Sequence, residues 1–232
     1  MAPKFPKVYL VRHGETEWTI NGRHTGTTDI PLTARGEATM LHLGEKVAGP
    51  GKLIDPSLLA SIHVSPRIRA QKTFTLLFSR LPEESRPALS IDERVREWTY
   101  GDYEGGLVNE IAARQKEKGL KSGERGWDIW VDGCEGGESA EEMCARVDEV
   151  VKEVKRIHRE WYEDPARKDG ERGGDVLIVS HGHFSRCFLA RWLELPLPDG
   201  KKFVLDPGGV CVGQYYHSLD HSAVGAINLG VL

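Results

Sequence analysis

Two short apolar runs in this sequence end on the same pair of residues. Val8-Tyr9-Leu10-Val11 leads into Arg12-His13-Gly14, and Asp175-Val176-Leu177-Ile178-Val179 leads into Ser180-His181-Gly182. In open α/β sheets ligands sit outside the carboxyl ends of strands, and a glycine there lets the backbone turn and a ligand approach closely. One strand-end histidine is an ordinary structural residue. Two of them, with Arg12 beside the first, point to one crevice, provided their strands are neighbours. A third run, Ser61-Ile62-His63-Val64, delivers Ser65-Pro66-Arg67-Ile68-Arg69. Two cations in the first turn of a helix oppose its dipole, so an anion is expected beside them. Helix amides and guanidinium groups together make a phosphate site. Arg67 and Arg69 would point about 200° apart on a regular helix. Arg69 is therefore expected to reach the central phosphate, and Arg67 the rim or a second anionic group.

Weaker candidates surround these. Asn21, Arg23, His24 and Thr25 follow the first strand on a Gly-bearing loop and are expected to close over the phosphate. His183 and Arg186, at the start of the helix after His181, are candidates for a second phosphate or sugar hydroxyls. The His181-x-His183 spacing could suggest a metal, but the nearby arginines would repel one, so no metal and no cofactor is expected. Glu104 reads as a loop acid, and His42, His63 and His158 as structural residues.

These groups need elements that bring them together. Short apolar runs alternating with helical patterns are the signature of an α/β layer fold, and runs this apolar suit strands buried on both faces. The expected architecture is a three-layer sandwich: a mostly parallel central sheet with an antiparallel edge and helices on both faces. Ser139 followed by Glu142 reads as a capping box, after which Met143, Val147, Val150, Val154, Ile157 and Trp161 recur at helical spacing. Thr33 starts a helix toward Val47. Ser65-Pro66 are read as N-cap and first position of a helix over Arg67 to Arg80. A further helix runs from Phe184 to Leu195, stopped by Pro196. Val210 to Tyr216 and Ala223 to Leu229 read as an antiparallel pair around His217-Ser218-Leu219-Asp220, and Asp164 to Gly174 as an exposed loop. Glu97 to Gly137 reads as a short helix plus long loops, which inside a compact domain are often functional. One domain over 1–232 accounts for all of this.

Composition narrows the partner. Lys and Arg total 31 against 35 Asp and Glu, for a net charge of −4, which argues against a general nucleic-acid binder. Cations gathered at one strand edge of an acidic protein focus positive potential into a cleft, so a small polyanion is expected, neither a nucleic acid nor a membrane. No apolar run approaches the ~20 residues that span a bilayer, and the first residues lack the pattern of a signal peptide. The four cysteines form no Cys-x-x-Cys pair. A cytoplasmic location is the expectation, with a homo-oligomer through the C-terminal strands an open possibility.

Five stretches together carry a family resemblance: Leu10-Val11-Arg12-His13-Gly14-Glu15-Thr16, Leu32-Thr33-Ala34-Arg35-Gly36, Ser65 to Thr73, Glu97 to Gly105, and Val179 to His183. In this order, over nearly the whole chain, they resemble the phosphoglycerate mutase-like histidine phosphatase superfamily. Within it, Thr25-Gly26 with Thr28-Asp29, Trp127-Asp128-Ile129-Trp130 and His181-Gly182-His183 with Arg186 are similar to the fungal sedoheptulose-1,7-bisphosphatases. The resemblance implies a metal-independent phosphatase of a small phosphorylated sugar, such as a sugar bisphosphate. His13 would be the nucleophile, and Arg12, Arg69 and His181 would hold the transferred oxygens. Glu97, partly desolvated by Trp98 and Tyr100, would protonate the leaving oxygen and activate water. Thr25, Gly26, Tyr100, Gly182, His183 and Arg186 would bind substrate, with Arg67, Arg125 or Arg186 on a distal phosphate. Two other readings compete. A mutase of this clan carries paired arginines after the Glu segment, where only Arg125 stands, so hydrolysis is favoured. A non-catalytic binding module would need neither nucleophile nor acid.

Overall fold

The computed structural model describes residues 5–117, 126–168 and 171–230. Strands β1 (Val8–Arg12), β2 (Leu59–Val64), β3 (Asp175–Ser180), β4 (Val210–Tyr216) and β5 (Ser218–Leu229) form one sheet in the order β2-β3-β1-β4-β5. β3 runs parallel to both β1 and β2, while β4 is antiparallel to both β1 and β5. The helices in chain order are α1 (Glu17–Asn21), α2 (Ala34–Val47), α3 (Ile68–Phe78), α4 (Val108–Glu117), α5 (Ile129–Asp132), α6 (Ala140–Tyr162) and α7 (Gly182–Trp192).

Side chains alternate along a strand, so the central strands feed two cores. Val8, Leu10, Val176, Ile178 and Cys211 face one side, where Met143, Val147 and Val150 of α6 and Phe184 and Phe188 of α7 cover them. Tyr9, Val11, Leu177, Val179 and Val212 face the other, against Met40 and Leu43 of α2 and Phe74 and Leu77 of α3. This is the three-layer sandwich that the sequence pattern predicts, with β4 and β5 as its antiparallel edge.

Register positions the site. Arg12 lies opposite Ser180 across the β1–β3 pair, and the amide of His13 donates to the Ser180 carbonyl at 2.9 Å. The strands carrying the two histidines are thus direct neighbours ending level. On the far side of β3, the Ser65 amide donates to Val179 O at 3.0 Å and brings the end of β2 to the same edge. Helix caps follow the sequence in two cases. Thr33 Oγ1 accepts from Gly36 N at 2.9 Å. Ser139 Oγ accepts from Glu142 N at 3.1 Å, while the Glu142 carboxylate accepts from Ser139 N at 2.8 Å. Such caps are each worth ~1 kcal/mol.

Several boundaries differ from the sequence expectation. Helix α3 starts at Ile68 and ends at Phe78, and Ser65 is not its cap. Arg67 takes the cap position with an extended backbone and no side-chain cap bond, and Asp29 Oδ1 satisfies the Ile68 amide at 2.9 Å. Helix α7 starts at Gly182, two residues before Phe184, because a carboxylate from elsewhere in the chain holds its first amides. It stops at Trp192 rather than Leu195, where the left-handed Glu194 (φ 60) turns the chain before Pro196. The β4–β5 reversal is tighter than expected: His217 alone is left-handed (φ 66), and Ser218 to Asp220 already belong to β5. Among the described residues no helix is long and apolar enough to cross a membrane.

Candidate active site

His13 is the first residue past β1. Its Nδ1 donates to the Gly14 carbonyl at 2.8 Å, a group that can only accept, so the neutral ring carries its free lone pair on Nε2. Burial first, then the Arg69 and Arg12 guanidinium groups, hold its pKa well below 6.5, so the ring is neutral at pH 7. His181 occupies the cap position of α7, its ring centroid 5.1 Å from that of His13 at an angle of 63°. Its Nε2 shares a 2.6 Å hydrogen bond with Ser65 Oγ, while its buried Nδ1 has no partner. Burial, Arg69 and His13 keep it neutral in the same way.

Arg12 Nη1 donates to Leu205 O at 2.5 Å. Its guanidinium lies against Gly182, where a Cβ would come 3.3 Å from Cζ; the predicted glycine makes room for the cation. Arg69 is fully buried on α3 and anchored by backbone: Nη1 donates to Thr28 O at 2.9 Å, Nη2 to Thr25 O at 2.8 Å and Gly26 O at 3.3 Å. Among the described residues, the Nε of Arg12, of Arg67 and of Arg69 each lack a partner although buried. An unmade hydrogen bond at a buried donor costs ~1–3 kcal/mol, more for a charged group. Such donors beside two neutral histidines gather uncompensated positive charge at the end of the sheet.

Glu97 is the carboxylate that caps α7. Oε1 accepts from Trp98 N at 3.0 Å and Phe184 N at 2.9 Å, and Oε2 from His183 N at 3.0 Å. Its burial agrees with the desolvation expected from its aromatic neighbours. Next to it, Tyr100 Oη and His183 Nδ1 share a 2.7 Å hydrogen bond. Burial, and then Glu97, push the Tyr100 phenol well above 10, so it keeps its proton. Arg186 stacks 4.8 Å over the Trp130 ring and donates from Nε to Gly200 O at 3.2 Å.

A cavity of about 520 Å³ opens onto these groups. Arg12, His13, Thr25, Glu97, Tyr100, Gly182, His183 and Arg186 line it, with Arg23, His24, Trp18 and Trp127 toward its other walls. Arg69 and His181 are buried beside His13 rather than along the lining. Three predicted contact residues stand apart. Asn21 is exposed just before the left-handed Gly22, its Oδ1 accepting from Arg23 N at 3.3 Å. Gly26 lies behind Arg69 rather than on the cavity. Arg67, at the cap position of α3, does not line the cavity either, although its Nε is buried and its charge acts on His181. Arg125 lies outside the described residues. The sequence reading missed Ser65 as the partner of His181, because Ser-Pro ahead of a helix reads first as a cap. It also missed Asp29 as the cap of α3, and Glu104 as the acceptor of the Gly26 and Thr28 amides. Among the described residues no three His, Cys, Asp or Glu side chains group as metal ligands.

Comparison with known proteins agrees with this geometry. The family model of the histidine phosphatase superfamily (branch 1) matches residues 8–222. Sedoheptulose 1,7-bisphosphatase of Saccharomyces cerevisiae is 35% identical over 254 residues, covering 94% of this chain and 91% of the relative. An acid phosphatase of Mycobacterium tuberculosis is 32% identical over 218 residues, again covering 94% and 91%. The solved structure of an open reading frame from Mycobacterium tuberculosis superposes with a TM-score of 0.77 at 29% identity, covering 98% of this chain and all (100%) of the other. Fold, strand-end histidines and named relatives together support a phosphatase, and the chain belongs to the histidine phosphatase superfamily.

Proposed function

We propose that this chain, as a single domain, is a metal-independent phosphatase acting on a small phosphorylated sugar through a phosphohistidine on His13. The observation that carries the reading is the set of unpartnered buried nitrogens, Arg12 Nε, Arg69 Nε and His181 Nδ1, beside a histidine whose free lone pair is on Nε2. Nε2 attacks phosphorus, and the bond from phosphorus to the leaving oxygen breaks. Arg12, Arg69 and His181 take the negative charge on the transferred oxygens, the role that a bound cation plays elsewhere. Glu97 gives its proton to the leaving alkoxide; as carboxylate it then takes a proton from water, which attacks phosphorus and releases phosphate and free His13. Oε2, with a single N–H donor, keeps capacity for that proton.

The substrate class proposed is a sugar bisphosphate of the sedoheptulose 1,7-bisphosphate kind. Support comes from the Saccharomyces cerevisiae relative and from the cavity lining. There Arg186 offers a cation to a second anionic group, while Tyr100 and His183, beside Glu97, offer hydroxyl-binding atoms. The test is turnover of a panel of phosphosugars and phosphoglycerates in EDTA, wild type beside His13→Ala. The reading expects sugar bisphosphates to head the panel, chelator to leave activity intact, and the variant to lose about 10⁴-fold or more in kcat. Activity retained by His13→Ala would refute the nucleophile. Loss of wild-type activity with EDTA would refute the metal-free mechanism.

A further inference from the structure

Glu104 follows the short 3-10 turn Gly101–Tyr103 and stands outside the cavity lining. Its carboxylate reaches across to another loop. Oε1 accepts from Gly26 N at 2.9 Å and Thr28 N at 3.0 Å, and Oε2 from Gly26 N at 3.1 Å. The carbonyls of that loop are the ones that grip the Arg69 guanidinium, Thr25 O at 2.8 Å and Thr28 O at 2.9 Å. The Gly26 N–H and the Thr25 C=O are the two ends of one trans peptide group, so they point in opposite directions. That single peptide plane therefore lies between the Glu104 carboxylate and the Arg69 guanidinium. An anion on its N–H side polarises the amide and strengthens its oxygen as an acceptor for the cation.

The surroundings leave the plane little freedom. Gly105 N donates to His24 O at 2.8 Å and His24 N to Gly106 O at 3.0 Å, stitching the two loops together. A Cβ on Gly26 would come 2.5 Å from Trp98 O and 2.9 Å from Glu104 Oε2. At the other end of the loop, Asp29 holds the first amide of α3, the helix that carries Arg69.

We propose that Glu104 is a positioning residue for phosphoryl transfer: through the Thr25–Gly26 peptide it fixes the Arg69 guanidinium beside His13 without touching substrate. The proposal rests on the reading of Arg69 as a phosphoryl ligand. It has a second consequence. His13 is faced by Arg12 from β1, Arg69 from α3, His181 from the cap of α7 and, across the cavity, Glu97. After burial, Arg69 is the strongest influence that keeps His13 neutral. An Arg69 set loose from its loop lets His13 protonate at higher pH.

A double-mutant cycle tests this, using kcat/KM for p-nitrophenyl phosphate and the inhibition constant of inorganic phosphate. Glu104→Ala is expected to lower kcat/KM by about 10²-fold, as small misplacements of a transition-state ligand do. It should weaken phosphate inhibition in parallel and move the acid limb of kcat/KM to higher pH. Glu104→Gln keeps one oxygen that can accept from both amides, so it should lose only about 10-fold. In an Arg69→Ala background, Glu104→Ala should change kcat/KM by less than about 3-fold, because the residue it acts through is gone. Full additivity of the two substitutions would overturn the proposal, as would an unmoved acid limb and inhibition constant in Glu104→Ala. If Arg69→Ala alone keeps wild-type turnover and phosphate inhibition, the phosphoryl-site reading fails instead. Should the alanine variant not fold, the same cycle with Glu104→Gln expects its roughly 10-fold loss to vanish in the Arg69→Ala background.

Discussion

Arg69 and Arg146 are both buried, yet they are built in opposite ways. Arg146 meets Glu138 fork to fork, Nε to Oε1 and Nη2 to Oε2 both at 2.7 Å, and Nη1 donates to Arg94 O at 2.8 Å and Arg96 O at 2.9 Å. Its charge is cancelled and its donors are used. It ties α6 to the segment that carries Glu97. Arg69 is held by neutral carbonyls alone, its Nε is unpartnered, and its charge falls on His13 and His181. A buried guanidinium with its own carboxylate is scaffold; one held only by dipoles still has a charge to give to an oxyanion. The histidines differ in what surrounds them rather than in pairing. His63 Nδ1 pairs with Asp92 Oδ2 at 2.8 Å, and His158 shares a 2.8 Å bond with Tyr215 Oη, much as His181 does with Ser65, but only His13 and His181 of these four lie under guanidinium charge.

Substitutions should separate the two kinds. Arg69→Ala is expected to lower kcat/KM for a phosphate ester by about 10²- to 10³-fold, the size of a lost oxyanion donor. Its Tm should fall less than that of Arg146→Ala, and the stabilisation that inorganic phosphate gives the wild type by mass action should disappear. Arg146→Ala, which strips buried Glu138 of its bidentate partner and leaves it only Arg96 Nη2 at 3.5 Å and the Thr99 amide at 3.2 Å, should cost about 3 kcal/mol of stability and less in kcat/KM of the folded fraction. Thermal melts with and without phosphate, beside initial rates, read both outcomes. A large Tm loss in Arg69→Ala with little change in rate would erase the contrast.

The next effect is selective rather than uniform. Glu97→Gln should slow alkyl phosphates by about 10²-fold but p-nitrophenyl phosphate by less than about 10-fold, since nitrophenolate leaves without a proton. Equal slowing of both would remove Glu97 as the leaving-group acid.

The last effect is on stability against pH. His13 and His181 have folded-state pKa values well below 6.5, and burial brings His158 down to about 3. Below pH 6.5 the unfolded chain takes up protons that the folded protein refuses, so stability falls as pH drops through this window. Each ring contributes at most about 1.4 kcal/mol per pH unit, levelling off once its own folded-state pKa is passed. Melting curves from pH 7.5 to 4 should show a declining Tm; a flat profile would mean these rings are not held neutral.

Much of this was legible in the sequence, for identifiable reasons. β-branched runs ending in His-Gly marked β1 and β3, and the Ser139–Glu142 box marked the start of α6, because those signals are local. Adjacency of β1 and β3, on which the meeting of His13 and His181 depends, stayed a condition, because strand order is not written locally. The site residues that escaped notice act over long sequence separations. Ser65 serves His181, Asp29 caps α3 and Glu104 holds the loop behind Arg69. Each looks like an ordinary cap or loop residue until the fold supplies its partner. The position of Arg67 was hidden for a related reason: Asp29, not Ser65, satisfies the first amide of α3, so Arg67 stands at the cap rather than in the first turn.

The central claim is that His13 Nε2 and the unpartnered donors around it receive one phosphoryl group. A crystal soaked in orthovanadate tests it most directly. The account predicts vanadium within bonding distance of His13 Nε2, its equatorial oxygens on Arg12, Arg69 and His181 and its apical oxygen toward Glu97. Vanadate bound elsewhere in the cavity, with His181 Nδ1 and the Arg69 Nε still unpartnered, would contradict it.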